Sequence, residues 1–204
     1  MPVNDSPDAA QAEVNCGLCS VAGIVGSTAE TERGLIEAQI GAGRVKPEWV
    51  FFVYATRVMG LPKGDAAKVT LGNQARGMEG WLRNRHARRV AWIGSTEAPL
   101  QLAEMEQAMM LLPDGTQFLV AVLDWNEAWG QSMNAHWLTA RRAGAAISYV
   151  DHQLDIPGTM VDDLARKTKR PNAPFGQASA TNGPRQAWAD PTEGTNRYAA
   201  LSVQ

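Results

Sequence analysis

The sequence is poor in the residues that build disulfide frameworks and metal sites. It has two cysteines and three histidines among 204 residues. Two cysteines cannot form a disulfide framework, and this set offers few ligands for a metal ion. We therefore expect no metal and no other cofactor. The two cysteines, Cys16 and Cys19, stand close together instead, and a thiol is itself a reactive group.

The chain also lacks a surplus of charge and a long apolar run. Its formal net charge of -2 provides no basic surplus for phosphate backbones or anionic lipid. No segment approaches the roughly 18 apolar residues of a membrane span, and residues 1–15 are polar and acidic where a secretory signal would be basic and then apolar. We expect no nucleic-acid partner, no membrane span, and a location that is cytoplasmic or secreted without a cleaved signal peptide.

The order of the patterned segments indicates the fold class. Helical spacing of apolar residues dominates the first half, and short apolar strands dominate the second, which favours an α+β fold with an antiparallel sheet of about four strands. We divide the chain into a loose N-terminal lead-in (residues 1–13), one domain (residues 14–165) and an extended or partly disordered C-terminal tail (residues 166–204), where Pro, Gly, Asn, Thr and Ser accumulate.

A hairpin pattern in the second half brings a histidine and a carboxylate together. Residues 136–141 and 146–151 are strand-like, and a two-residue turn at 143–144 would place His136 directly opposite Asp151. Directly opposed side chains have Cβ atoms about 4.5–5.5 Å apart, so an imidazole and a carboxylate would be in hydrogen-bonding reach. The alternatives are that both residues only end their strands, or that a one-residue slip puts His152 opposite His136.

Cys16 is the candidate nucleophile for this pair. Asn15 is a favoured helix N-cap, and apolar residues at helical spacing run from Cys16 to Val25, after which Gly26 ends the helix. The first turn of a helix favours a thiolate, because its unpaired N–H groups and the helix dipole stabilise negative charge. With His136 as the base and Asp151 orienting the ring, the set predicts a Cys-His-Asp hydrolase site.

Two further residues are candidates for an oxyanion hole beside Cys16. Gly17 leaves room for a substrate carbonyl at the helix end, where the backbone N–H of Cys16 could donate one hydrogen bond. Gln11, a few residues upstream, is a candidate for the second donor, although a surface position is an equal alternative.

Cys19 is the alternative nucleophile, or a disulfide partner for Cys16. Cys16 is favoured because a helix that begins at Cys19 would have only a turn and a half before Gly26. A redox or zinc Cys-x-x-Cys motif is less favoured, since a thioredoxin-like motif follows a strand in a βαβ unit and a zinc site needs more ligands.

Three tryptophans around His136 are candidates for the wall of a substrate cleft. Trp125 and Trp129 precede the histidine in a predicted loop, and Trp137 follows it directly. Packing in the core is the alternative for each of them.

Three short segments in this order resemble a known family. They are Asn15-Cys16-Gly17-Leu18-Cys19-Ser20, Ala135-His136-Trp137 and Asp151-His152-Gln153, and they resemble the papain-fold toxins of bacterial polymorphic toxin and effector systems. The resemblance implies a papain-like core with Cys16 as nucleophile, His136 as base, Asp151 as orienting carboxylate and Gln153 as a supporting residue. It further implies deamidation of glutamine on a protein substrate, and a cognate immunity protein that inhibits the enzyme.

The residues themselves leave other functions open. A cysteine peptidase uses the same acyl transfer on a peptide bond, and a transglutaminase-like transferase could use the same triad. A non-enzymatic binding module, in which the cysteines are inert and the tryptophans form a core or an interface, is the remaining alternative. We rank the deamidase first and the peptidase second.

Overall fold

The structure, a computed structural model, describes residues 16–44, 63–126, 131–152, 156–158 and 195–204. Within these ranges the helices are α1 (Cys16–Val25), α2 (Ala29–Gly41), α3 (Lys63–Asn84) and α4 (Leu102–Met110). The strands are β1 (Val90–Ile93), β2 (Gln117–Asn126), β3 (Gln131–Ala143), β4 (Ala146–Asp151), β5 (Ile156–Gly158) and β6 (Thr195–Val203).

The strands form one antiparallel sheet in the order β1-β6-β2-β3-β4-β5. The predicted α+β class with an antiparallel sheet is therefore confirmed. The prediction of about four strands was too low, because the described sheet has six. The two that the sequence did not predict are β5, which has only three residues, and β6.

The prediction of a C-terminal tail was wrong for its last ten residues. β6 lies between β1 and β2, and Tyr198 to Ser202 are all buried there. A strand covered on both faces reads as an apolar run without alternation, and Tyr198-Ala199-Ala200-Leu201 is such a run. Because residues 166–194 before it are mostly polar, this short apolar run was predicted to be part of the tail. The predicted lead-in and the other residues of the predicted tail lie outside the described residues.

Helices cover both faces of the sheet, which explains the apolar run of β2, where Phe118 to Leu123 are all fully buried. On one face, α1, α2 and α3 pack against alternate strand residues; this core includes Leu119, Ala121, Leu123, Trp137, Ala199 and Leu201. On the other face, Met105 and Met109 of α4 pack against the intervening residues, among them Phe118, Val120, Leu138, Tyr149 and Tyr198.

The β3–β4 hairpin has a different register from the predicted one. Ala143 lies opposite Ala146, so the turn is Gly144-Ala145, and the ladder ends at the pair Thr139–Val150. Gly144 has a φ of 61°, which a two-residue hairpin turn requires at its first position and which glycine adopts without strain. His136 is therefore not directly opposite Asp151. The shift is two residues, so both side chains stay on one face as diagonal neighbours.

The predicted loop before His136 is also shorter than expected. β2 continues to Asn126 and β3 begins at Gln131, with an irregularity in their pairing between Asp124 and Trp125. The strand that carries His136 is thus 13 residues long. At His136 its backbone pairs with Val122 of β2.

Candidate active site

Helix α1 contacts the ends of β3 and β4 through a face of small residues. Cys16, Cys19, Ser20 and Gly23 have the spacing i, i+3, i+4, i+7, so they share one side of the helix. The Ser20 hydroxyl donates to the main-chain oxygen of Trp137 at 3.0 Å. A Cβ on Gly23 would lie 2.3 Å from ring atoms of His152. Large side chains on this face would prevent so close an approach.

The docking position of α1 depends on where the β3–β4 ladder ends. Beyond Thr139–Val150 the two strands no longer pair, and it is in this part of β3 that Trp137 accepts its hydrogen bond from Ser20. The helix thus lies beside β3 at His136, with the first residue of the helix, Cys16, beside the histidine ring.

His136 and Asp151 form a fully buried pair. The His136 Nε2 atom donates to Asp151 Oδ2 at 2.8 Å, and both side chains have 0% exposure. A carboxylate accepts only, so this contact fixes Nε2 as a protonated nitrogen. The other ring nitrogen, Nδ1, is then the one whose proton can be exchanged with a reacting group.

The third predicted residue, Cys16, also contacts the ring. Its side chain lies close enough to the imidazole to be one of the groups that raise the pKa of His136. Burial alone would lower the pKa of His136, but the charge and hydrogen bond of Asp151 and those of Cys16 outweigh it and raise the pKa from 6.5 to about 10. The ring therefore carries a proton at neutral pH. The structure brings together all three residues of the predicted triad.

Cys19 lies on the same face of α1 but is unsuited to react. Burial, and then the nearby charges of Cys16 and Asp151, raise the pKa of the Cys19 thiol well above its ordinary value. It is 0% exposed and stays a neutral thiol under ordinary conditions. The two cysteines are not joined by a disulfide in this structure.

The structure answers the prediction of a tryptophan cleft wall only in part. Trp137 is fully buried on the face of the sheet that α1, α2 and α3 cover, with its ring 6.5 Å from that of Trp92, a position that agrees with the alternative of packing in the core. Because side chains alternate between the two faces along a strand, Trp137 points to the opposite face of β3 from its neighbour His136. Trp125 is also buried, at 8% exposure. Trp129 lies outside the described residues, as do Gln11, Asn15 and Gln153.

Gln74 of α3 lies beside this site, although the sequence patterns did not predict it as a site residue. Its Oε1 accepts a hydrogen bond from the Trp137 indole at 3.0 Å, and its Nε2 lies 3.1 Å from the place that a Cβ on Gly17 would occupy. Gln74 thus touches the residues that follow Cys16 and His136 in the chain. The signal was present, because Gln74 is a polar residue in line with the apolar Met78, Trp81 and Leu82 of α3.

A second histidine–carboxylate pair, between a half-buried His86 and a buried Glu32, joins α2 to the segment that follows α3. His86 Nε2 lies 2.9 Å from Glu32 Oε2, which also accepts from the Trp81 indole at 2.6 Å. Both cysteines lie on α1, and neither Glu32 nor His86 is among the groups that shift the pKa of the His136 ring or of the Cys19 thiol. This pair therefore serves the packing of α2 on α3.

In the part of the chain that the structure describes, no group of three or more His, Cys, Asp or Glu side chains has the arrangement of a metal site. Among the described helices, none has both the length and the apolar character needed to cross a bilayer.

Comparison with known proteins gives no family for this chain. No model of a protein family matches the sequence, and no curated protein has a significant similarity to it.

Proposed function

We propose that this protein is a cysteine hydrolase whose nucleophile is Cys16, with His136 as its acid and base and Asp151 as the carboxylate that orients the ring. One observation carries the proposal: a buried imidazole is held by a carboxylate at 2.8 Å, and a thiol on the first turn of a helix lies close enough to raise the pKa of the ring. A nucleophile, a proton carrier and an orienting group in contact are the requirements of acyl transfer through a covalent intermediate.

In the first step, the Cys16 thiolate attacks the carbon of a carboxamide, and a carbon–sulfur bond forms as the carbonyl oxygen becomes an oxyanion. The protonated His136 then gives a proton from Nδ1 to the amide nitrogen. The carbon–nitrogen bond breaks, ammonia leaves, and a thioester to Cys16 remains. A raised pKa suits His136 to this step, because the ring already holds the proton that the leaving group needs.

In the second step, the neutral His136 takes a proton from a water molecule, whose oxygen attacks the thioester carbon. The carbon–sulfur bond breaks, the substrate leaves as a carboxylic acid, and the thiolate–imidazolium pair is restored. Asp151 stabilises the imidazolium in both steps. Its hydrogen bond with Nε2 leaves Nδ1 as the nitrogen that gives and takes the proton. The net reaction is hydrolysis of a carboxamide to a carboxylate and ammonia.

We further propose a papain-like core and a glutamine side chain as the substrate group. The order of the site, with a cysteine at a helix start and a histidine and a carboxylate on neighbouring strands, agrees with the resemblance to papain-fold toxins. Burial favours a side chain over a main chain: Cys16 has 2% exposure and His136 has 0%. A glutamine side chain can enter such a site end-on, whereas a peptidase has to hold an extended main chain across its thiol.

The same resemblance leads us to propose that the substrate is a protein of a target cell and that a cognate immunity protein blocks the enzyme. A peptidase remains the second candidate, since both reactions share one tetrahedral intermediate.

A matched pair of cysteine variants tests the proposal. We expect iodoacetamide near neutral pH to alkylate Cys16 faster than Cys19, because Cys16 is paired with the imidazolium and Cys19 is a neutral buried thiol.

When candidate proteins are incubated with the enzyme, mass spectrometry should detect deamidation as a gain of about one dalton, the difference between an amide and an acid. Cys16→Ala should abolish this gain, and Cys19→Ala should retain most of it.

The outcomes separate the candidates. Substrate fragments that depend on Cys16 would identify a peptidase instead of a deamidase. Equal and slow alkylation of both cysteines, or full activity of Cys16→Ala, would refute the cysteine hydrolase.

A further inference from the structure

The main-chain oxygen of Trp137 lies just past the point where the pairing of β3 with β4 stops. Arg142 donates its backbone N–H to the oxygen of Thr116, on the β2 side of β3. Successive residues of an antiparallel strand direct their N–H and C=O groups to alternate sides, and Trp137 precedes Arg142 by an odd number of positions. Its oxygen therefore points to the β4 side, beyond Thr139–Val150, the last pair of that ladder.

Ser20 of α1 takes the place of the next hydrogen bond of this ladder. Its hydroxyl donates to the Trp137 oxygen at 3.0 Å, and the serine is fully buried. A buried carbonyl without a partner costs about as much free energy as a lost hydrogen bond, so the open end of the hairpin favours a helix that brings a donor to this position. A directional bond thus ties α1 to β3.

The two ends of this hydrogen bond stand next to two residues of the triad. Ser20 is one helical turn from Cys16, on the same side of α1, and Trp137 follows His136 directly in β3. A change in the distance between Ser20 and Trp137 therefore changes the distance between the thiol and the imidazole. These two groups belong to separate elements, and acyl transfer tolerates little error in their placement.

We propose that Ser20 is a positioning residue, which sets the place of the Cys16 thiol against the His136 ring through its hydrogen bond to the main chain of β3. This inference rests on the proposed function. Ser20 acts through α1, since its hydroxyl is engaged with Trp137. Loss of the hydroxyl would release the helix from β3 and leave the sheet complete, because β3 keeps its pairing with β2.

Two buried serines provide a matched pair of substitutions. The hydroxyl of Ser202 in β6 donates to the main-chain oxygen of Ala91 in β1, also at 3.0 Å. Ser202 lies between β1 and β2, strands that carry no residue of the triad. Ser20→Ala and Ser202→Ala thus each remove a hydroxyl that donates to a strand carbonyl, and we expect them to lower the temperature of thermal unfolding by similar amounts.

The reaction of Cys16 with p-nitrophenyl acetate measures the first effect of a misplaced thiol. The thiolate attacks the ester carbon, a carbon–sulfur bond forms, and nitrophenolate leaves as the carbon–oxygen bond breaks; Cys16→Ala gives the background rate. We expect Ser20→Ala to slow this acylation by about 10²-fold, the cost of a misplacement of about 1 Å. Ser202→Ala should react at the wild-type rate, and Ser20→Thr, which keeps a hydroxyl, should react faster than Ser20→Ala.

The titration of His136 measures the second effect. Cys16 is one of the groups that raise the pKa of this ring to about 10, so a more distant Cys16 should let the ring lose its proton at a lower pH. NMR spectra of the histidine side chains, assigned by comparison with His136→Gln, follow this titration. We expect the midpoint to fall in Ser20→Ala and to stay unchanged in Ser202→Ala, whereas a hydroxyl that only stabilises the fold would leave it unchanged in both.

Two results would overturn the inference. One is a wild-type rate of acylation together with an unchanged His136 titration in Ser20→Ala. The other is an equal loss of acylation in Ser20→Ala and Ser202→Ala, which would make the loss a general effect of lower stability. Failure of the proposed function is recognised separately, in the wild type, where Cys16 would be acylated no faster than Cys19. The His136 titration would then still test the placement of α1.

Discussion

His136 is enclosed by protein on all sides, so its ionisation is coupled to folding. In the unfolded chain its pKa has the ordinary value of 6.5, and in the folded protein Asp151 and Cys16 raise it to about 10 in spite of burial. Below pH 6.5 the ring is protonated in both states, and the contribution of this group to stability is fully present. Between pH 6.5 and 10 the folded state keeps a proton that the unfolded state has lost, so this contribution declines as the pH rises.

A comparison with His136→Gln tests this coupling. We expect the free energy of unfolding of the wild type to decrease from pH 6.5 to pH 10 more steeply than that of the variant, because the variant lacks the shifted group. Urea denaturation at several pH values measures both curves. Cys19, whose pKa is also raised, contributes a decrease at high pH in both proteins and cancels in the difference. A difference that is flat or rises over this range would contradict the assigned ionisation.

At the scale of the elements, the contact between His136 and Asp151 could be predicted although the hairpin register was wrong. Side chains alternate along a strand, so an error of two residues leaves every residue on its face, whereas an error of one would have moved Asp151 to the other side. The imidazole and the carboxylate are long enough to meet as diagonal neighbours. The turn itself was harder to predict, because Ala143-Gly144 and Gly144-Ala145 both offer a glycine.

Gln74 illustrates what the local sequence could not provide. Its place on the apolar side of α3 could be derived from helical spacing, but its partners are Trp137 and Gly17, which lie far away in the chain. Only the packing of α3 against α1 and β3 brings them together. The same holds for β6, whose apolar run is visible but whose position between β1 and β2 depends on pairing over a long distance.

Gly23 is required by the close packing of α1 on the end of β4. We expect Gly23→Ala to destabilise the protein by about 1–3 kcal/mol, the usual cost of overpacking, because its Cβ would lie 2.3 Å from the His152 ring. The displacement of His152 would also move its neighbour Asp151, so the activity of Cys16 should fall. Thermal unfolding and the rate of Cys16 acylation measure the two effects.

Gly34→Ala is the matched control for this helix substitution. Gly34 lies within α2, and a Cβ there would meet no atom within 4 Å, so this variant should gain about 0.5–1 kcal/mol from the better helix propensity of alanine. If both variants change stability in the same direction, the contact between Gly23 and His152 does not constrain the site.

At the scale of the whole molecule, the sheet depends on β6. Leu201 of β6 is fully buried, and its backbone lies between Trp92 of β1 and Leu119 of β2. We expect Leu201→Ala to cost about 2–5 kcal/mol, the range for truncating a buried leucine. Leu111→Ala, at a site with 82% exposure, should change the free energy of unfolding by less than about 0.5 kcal/mol. Chemical denaturation of the two variants measures this contrast, and similar values would mean that β6 is not part of the stable core.

The place of β6 also has a consequence for biosynthesis. Strands β1 and β2 are synthesised well before β6, and each lacks this shared neighbour until residues 195–203 have left the ribosome. Sheets that depend on such distant pairing fold slowly. While residues 152–194 are being translated, the nascent chain therefore carries Cys16, His136 and Asp151 without the strand that completes the sheet beside them.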